Sequence, residues 1–163
     1  NLSGPTSFAP IIYKTLEIMK QKQMQEFAKL NSTDSISLFD EETTANSSSN
    51  LQLDEKIKMP YHILFIIADG KVSEENESET IKAIVDASNY PLSIIMIGVG
   101  DGPWHTMIKF DDLVCEQSKF DNFQFVDYHQ AIKNSKTPDI TFALKTLMEI
   151  PEQYMKMKKL NYI

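Results

Sequence analysis

An uninterrupted apolar run at residues 63–68 (ILFIIA) places the strongest constraint on the fold of this chain. Because apolar and polar residues do not alternate in it, the run predicts a β-strand covered on both faces, as in a parallel sheet. It ends at Asp69-Gly70, a carboxylate followed by a turn residue. Ligands of open α/β sheets bind beyond the carboxyl ends of the strands. We therefore predict that Asp69 belongs to a divalent-cation site.

Two further strands and five helices are predicted along the chain. The second strand, residues 92–99, is apolar and ends in glycines and an acid, and a shorter third strand covers residues 123–126. Apolar spacing and helix-start signals predict helices at about 8–30, 78–89, 103–111, 138–149 and 151–159. This alternation predicts an α/β fold with a parallel sheet. Because three strands make a small sheet, we expect a further strand beside residues 63–68.

Two of these helices have a predicted inward face. In the helix at 78–89 the inward residues are Ile81, Ile84 and Val85. In the helix at 138–149 the spacing of apolar residues predicts burial of Ile140, Ala143, Leu144, Leu147 and Met148.

Residues 31–60 differ in composition from the rest of the chain. Ser, Thr and Asn dominate their first twenty positions, mixed with acidic residues. A segment this polar buries too little apolar surface to fold, so we predict a disordered, low-complexity insertion between a helix and a strand. The folded domain is then expected to consist of residues 1–30 and 61–160.

Charge and cysteine content exclude several kinds of function. The 163 residues carry a formal net charge of −7, which argues against a broad basic surface for nucleic acid. Cys115 is the single cysteine, so these residues cannot form an internal disulfide or a cysteine-rich zinc module. The sequence has neither an apolar run long enough to span a bilayer nor a basic-then-apolar leader, and we expect a cytoplasmic protein.

No motif for catalysis or nucleotide binding is complete. Gly98-Val99-Gly100 resembles the start of a dinucleotide-binding turn, but Pro103 stands where the third glycine belongs. Neither a P-loop nor the motifs of serine hydrolases and zinc proteases occur. Three histidines stand at no metal-ligand or triad spacing and are expected to be structural: His62, His105 and His129. Whether the chain serves an enzyme stays open on this basis.

Thr6 is a second candidate ligand for a cation at Asp69. Mg²⁺ and Ca²⁺ prefer oxygen ligands from carboxylates, hydroxyls and waters. Thr6 lies in a loop just before the first predicted helix and carries such a hydroxyl. Both residues also have simpler interpretations. Asp69 is also the expected first residue of an Asp-Gly bend, and Thr6 or Ser7 is a suitable helix N-cap.

Several segments together form a recognisable pattern: LSGPTSFAPII at 2–12, YHILFIIADG at 61–70 and LSIIMIGVG at 92–100. They resemble the copine-type von Willebrand factor A domain. Further segments are GDGPW at 100–104, FDD at 110–112, FDNFQFV at 120–126 and LMEIPEQY at 147–154. These resemble most closely the copine-like domain of RING-type E3 ubiquitin ligases. The resemblance implies a doubly wound, mostly parallel α/β sheet, present here as its C-terminal half with about three strands.

The resemblance also implies a metal-ion-dependent adhesion site above the sheet. In the family, this site combines an Asp-x-Ser/Thr-x-Ser loop after the first strand with a threonine and a later aspartate. Thr6 matches the threonine and Asp69 the aspartate, whereas the first loop is not among these residues. We therefore expect Mg²⁺, Ca²⁺ or Mn²⁺ to bind only weakly here. We also expect the strand at 61–68 to have an exposed edge that is able to self-associate.

Three functions are compatible with this resemblance. The first is a divalent-cation-dependent protein-interaction module whose protein partner binds at the metal-site face. The second is the substrate-recruiting part of a RING-type E3 ubiquitin ligase, with the RING outside these residues. The third is a copine, a calcium-dependent phospholipid-binding protein that associates with membranes through C2 domains outside this chain. We expect no nucleic-acid partner.

Overall fold

Strands and helices alternate in the computed structural model, which describes residues 7–34, 58–70 and 73–163. A short 3₁₀ turn, Glu74–Asn76, precedes the second helix. The other elements, in chain order, are α1 (Ala9–Asp34), β1 (His62–Ala68), α2 (Glu77–Ala87), β2 (Leu92–Gly98), α3 (His105–Gln117), β3 (Phe123–Asp127), α4 (Tyr128–Ile132), α5 (Pro138–Leu147) and α6 (Ile150–Lys159).

β2 is the middle strand of a parallel sheet with the order β1-β2-β3. Met96 of β2 pairs with Ile66 on one side and with Phe125 on the other. Every residue of β2 is buried, as the apolar run at 92–99 predicts for a strand covered on both faces. The predicted parallel α/β sheet is confirmed.

Helices lie on both sides of this sheet. Successive residues of a strand point to opposite faces, so Ile94 and Ser93 of β2 identify the two sides. The Ile94 side packs against apolar residues of the first three helices, including Ile12, Met19, Ile84, Met107 and Phe110. On the Ser93 side, the Ser93 hydroxyl lies 2.8 Å from the Tyr61 hydroxyl, and the Tyr61 ring contacts Tyr154 of α6. This arrangement agrees with part of a doubly wound fold.

β1 departs from its prediction, because the described residues cover only one of its faces. Ile66 is buried, whereas Ile63, Phe65 and Ile67 on the opposite face are exposed. The most exposed of them is Ile67, with 69% of its surface accessible to solvent. Among the described strands, β1 is also an edge strand. The prediction that residues 63–68 are covered on both faces is therefore wrong within the described part of the chain. An apolar run shows that a strand can be buried, but it does not provide the element that buries it.

The predicted inward face of α5 is also wrong. Thr146 is the buried residue of this helix. The side-chain amide of Gln124 donates to the Lys145 carbonyl oxygen at 2.7 Å, and the Phe142 ring packs against Tyr128. These contacts hold α5 in a different orientation, because periodicity identifies an apolar stripe but not the surface that it contacts. The residues expected to be buried are exposed: Ile140, Ala143, Leu144, Leu147 and Met148.

Several helix boundaries also differ from the predictions. α1 continues through Asp34 and so includes the first four residues of the predicted insertion at 31–60, while residues 35–57 lie outside the described residues. α3 extends to Gln117, beyond its predicted end at 111.

The short helix α4 was not predicted. Its N-cap Asp127 accepts a hydrogen bond from the backbone N–H of Gln130 at 3.1 Å, and this Asp-x-x-Gln spacing is a recognised helix-start signal.

Candidate metal site at the carboxyl end of the sheet

Asp69 and the turn after β2 meet at the carboxyl end of the sheet. The backbone N–H of Val99 donates to the carbonyl oxygen of Ala68 at 2.9 Å. A Cβ atom at Gly100 would overlap the carbonyl oxygen of Asp69, so this close approach requires glycine. Asp69 therefore lies at the edge of the sheet where the apolar run predicts it.

The Asp69 side chain is exposed, and no residue within 7–34, 58–70 or 73–163 donates a hydrogen bond to its carboxylate. A free, accessible carboxylate is a suitable ligand for a hard divalent cation. Asp69 also lies in a bend with Gly70, as its simpler interpretation predicts. The two roles are compatible, since the bend involves the backbone and leaves the carboxylate oxygens available.

Thr6 lies outside the described residues, so its proximity to Asp69 stays a prediction. The neighbouring Ser7 is described. Its hydroxyl accepts a hydrogen bond from the backbone N–H of Ala9 at 3.3 Å and donates to Oε2 of Glu79 at 3.2 Å. By accepting the Ala9 amide, Ser7 has the capping role at the start of α1 that was considered for Thr6 or Ser7. Its hydrogen bond to Glu79 also connects α1 to α2.

Helix α4, which directly follows β3, also contacts this edge of the sheet. Nε2 of His129 lies 3.0 Å from the carbonyl oxygen of Val99. Because a carbonyl oxygen only accepts, Nε2 carries the proton in this contact and joins α4 to the turn after β2. His62 makes a comparable contact from Nδ1 to the Pro60 carbonyl oxygen at 2.7 Å. Both histidines therefore have structural contacts with the backbone.

The glycines that resemble a nucleotide-binding turn have packing roles. A Cβ atom at Gly98 would come within 2.8 Å of the Trp104 ring, so glycine is needed for the indole to cover the end of β2. Trp104 is buried, and its ring lies 5.5 Å from that of Phe125. Together with Gly100, these contacts explain the glycine spacing without a bound phosphate.

The described residues supply only part of a metal coordination sphere. Within 7–34, 58–70 and 73–163, no group of three or more His, Cys, Asp or Glu residues could hold a metal ion. A hard cation needs about six oxygen ligands, some of which can be waters. Asp69 fits one of these positions, and the remaining protein ligands would have to come from Thr6 and from other segments.

The family follows from comparison with known proteins. A family model described as Copine matches residues 42–163. This chain belongs to the copine family. Copine family protein 2 of Caenorhabditis elegans is 41% identical over 162 residues, which cover 99% of this chain and 2% of that protein. E3 ubiquitin-protein ligase RGLG3 of Arabidopsis thaliana is 38% identical over 173 residues, which cover 98% of this chain and 37% of that protein.

Membership of the copine family confirms the resemblance stated from the sequence. Relatives of both kinds, copine family proteins and RGLG ligases, match at similar identities, so the comparison does not separate the two branches. The chain spans no more than 37% of the length of either relative. Within its described part, no helix is both long and apolar enough to cross a membrane.

Proposed function

We propose that this copine-family chain is part of a protein-interaction module that depends on a divalent cation. Asp69 and Thr6 would bind Mg²⁺ or Ca²⁺, with Mn²⁺ as an effective substitute, and a carboxylate of the partner protein would complete the coordination sphere. The observation that carries this proposal is the exposed Asp69 carboxylate at the carboxyl end of a parallel strand, with no described hydrogen-bond donor.

Two further observations support the proposal. The carboxyl end of β1 is fixed against the turn after β2 by the Val99–Ala68 hydrogen bond and by the Gly100 contact, so the position of Asp69 is well defined. Hard cations accept carboxylate, hydroxyl and water oxygens, which are the ligands that Asp69, Thr6 and solvent supply. Because only these two protein ligands are assigned, the cation would bind the 163-residue chain weakly.

Paramagnetic broadening by Mn²⁺ tests this site even when binding is weak. In NMR spectra of the chain, a small amount of Mn²⁺ is expected to broaden the amide signals of Asp69, Gly70 and Gly100 first. Asp69→Asn should remove this effect, because the neutral amide is a much poorer ligand for a hard cation. The matched control is Asp139→Asn, which changes the same charge on the exposed first turn of α5.

Equal broadening in the wild type and in Asp69→Asn would reject Asp69 as a ligand. Broadening that spreads over the acidic surface, with no centre at the strand ends, would show that the chain attracts cations only through its net charge.

A second candidate function follows from the ligase relatives. The 38% identity to RGLG3 over almost the whole chain makes a role as the substrate-recruiting part of a ubiquitin ligase a second candidate. The chain has one cysteine and cannot supply a RING, so ubiquitin transfer would depend on other segments. Ubiquitin-chain formation by the natural full-length protein with an activating and a conjugating enzyme would support this function. Calcium-dependent sedimentation with phosphatidylserine vesicles would instead support a copine with C2 domains.

We also propose a cytoplasmic location, with membrane association only through such C2 domains. The net charge of −7 gives the chain itself little affinity for anionic lipid. Self-association through the exposed edge and face of β1 is a further proposal, supported by the exposure of Ile63, Phe65 and Ile67.

A further inference from the structure

Glu149 lies at the corner between α5 and α6, beside the segment that precedes β3. It is the N-cap residue of α6, which begins at Ile150. The side-chain amide of Gln153 donates to Oε2 of Glu149 at 3.3 Å, and the Gln153 backbone N–H donates to the Glu149 carbonyl oxygen at 3.0 Å. Gln153 and Met157 are the residues that α6 buries. The Glu149 side chain is therefore held beside a contact that fixes α6.

The surroundings of Glu149 are rich in carboxylates. Asp111 of α3, Asp121 in the segment before β3 and Glu152 of α6 all act on its charge. A cavity of about 460 Å³ opens between α6 and the segment before β3, and its lining includes Glu149, Asp121 and Glu152 together with the cations Lys119 and Lys156. Asp111 is itself engaged, since its Oδ1 accepts the backbone N–H of Phe125 at 3.1 Å.

Burial, followed by repulsion from Asp111 and Asp121, raises the pKa of Glu149 from 4.5 to about 7. The hydrogen bond from Gln153 acts in the opposite direction and lowers the pKa, because it favours the ionised carboxylate. A carboxyl group with this environment changes its charge near neutral pH, where ordinary glutamates are fully ionised.

We propose that Glu149 is a proton-sensitive contact that controls the docking of the C-terminal helix α6. With a neutral Glu149, the corner between α5 and α6 packs against the segment before β3 without repulsion. Ionisation places a further negative charge beside Asp111, Asp121 and Glu152, and this weakens the attachment of α6. Few buried side chains hold the helix, so a local change of charge is able to alter how often it opens.

The direction of the pH effect follows from linkage. Below pH 4.5 the glutamate is protonated whether α6 is docked or open, and above about pH 7 it is ionised in both states. Between these values the docked state holds a proton that the open state loses. The free energy of opening therefore decreases as the pH rises from about 4.5 to about 7, and it becomes independent of Glu149 at higher pH.

Two measurements on the protein test this proposal. The first is the ¹³C chemical shift of the Glu149 carboxyl group as a function of pH, which is expected to give an apparent pKa near 7. The second is hydrogen exchange of the α6 amides, corrected for the intrinsic pH dependence of exchange. The protection of Gln153 and Met157 should fall by up to about tenfold between pH 6 and pH 8.

Variants separate the effect of Glu149 from those of other groups in the protein. Glu149→Gln is nearly isosteric and should make α6 protection independent of pH in this window. Glu152→Gln removes one charge from the same helix, and Glu152 is the weakest of the contributors, so the pH dependence should persist. Asp111→Asn retains an oxygen for the Phe125 N–H and should lower the apparent pKa of Glu149.

A carboxyl titration closer to pH 4.5 than to pH 7 in the wild type would overturn the proposal without any variant. It would equally be overturned if the exchange of α6 kept its full pH dependence in Glu149→Gln.

Discussion

The absence of a side chain at residue 100 allows the ends of β1 and β2 to approach each other. Gly100 contacts the Asp69 backbone, and Gly98 leaves room for the buried Trp104 ring. In both cases, a single missing Cβ determines how the carboxyl edge of the sheet is built. The candidate cation ligand Asp69 therefore depends for its position on Gly100, in the turn after the neighbouring strand β2.

Gly100→Ala is expected to destabilise the protein by about 1–3 kcal/mol, because the new methyl group forces the backbone at Asp69 to move. Urea unfolding of the purified variant measures the change in the free energy of unfolding. Gly70→Ala is the matched control. A Cβ at Gly70 meets nothing within 4 Å, so we expect a change of at most about 0.5 kcal/mol. Equal effects at both positions would contradict the proposed contact.

At the scale of elements, burial was predicted correctly for segments that pack against other elements of the described residues. β2 is fully buried and its apolar run identifies it, and Ile84 of α2 is buried as predicted. The errors at β1 and α5 have a common physical cause. An amphipathic or apolar pattern describes the surface of one element, whereas burial depends on a second element that the pattern does not specify. The short helix α4 was missed because five residues are too few to show a helical period.

Two methionine substitutions distinguish buried from exposed helical positions. Met107 of α3 is fully buried, so Met107→Ala should leave a cavity and lower the free energy of unfolding by about 2–5 kcal/mol. Met148, at the end of α5, is 67% exposed, and Met148→Ala should change it by at most about 0.5 kcal/mol. Thermal or urea unfolding of the two variants tests the difference. A large loss for Met148→Ala would mean that the apolar stripe of α5 is covered in solution.

At the scale of the whole molecule, the sequence identified the family, and it placed Asp69 at the carboxyl end of a strand, where its role as a ligand stays a prediction. Asp69 was predictable because the strand-end rule needs only the local apolar run and the residue after it. The Glu149 environment was not, since Asp111, Asp121 and Glu149 come from three separate segments and carry no common motif. The relation between Thr6 and Asp69 likewise depends on tertiary structure, and it stays a prediction.

The exposed face of β1 should affect the state of association. At high concentration we expect sedimentation velocity to detect reversible oligomers, because an edge strand with exposed apolar residues can pair with another chain. Ile67→Lys should reduce this association, since Ile67 is 69% exposed on β1. Ile18→Lys, at an exposed position of α1, is the control and should leave it unchanged. Equal association of the wild type and Ile67→Lys would argue against β1 as the contact surface.

The cation site is tested most directly by titration calorimetry of Mg²⁺ and Mn²⁺ binding to the natural full-length protein. Asp69→Ala and Thr6→Ala should each weaken binding by about tenfold or more, which corresponds to about 1.4 kcal/mol or more. Asp139→Ala should leave the affinity unchanged, because its side chain is exposed at the start of α5. Unchanged affinity in both Asp69→Ala and Thr6→Ala would contradict the proposed site and, with it, the cation-dependent function.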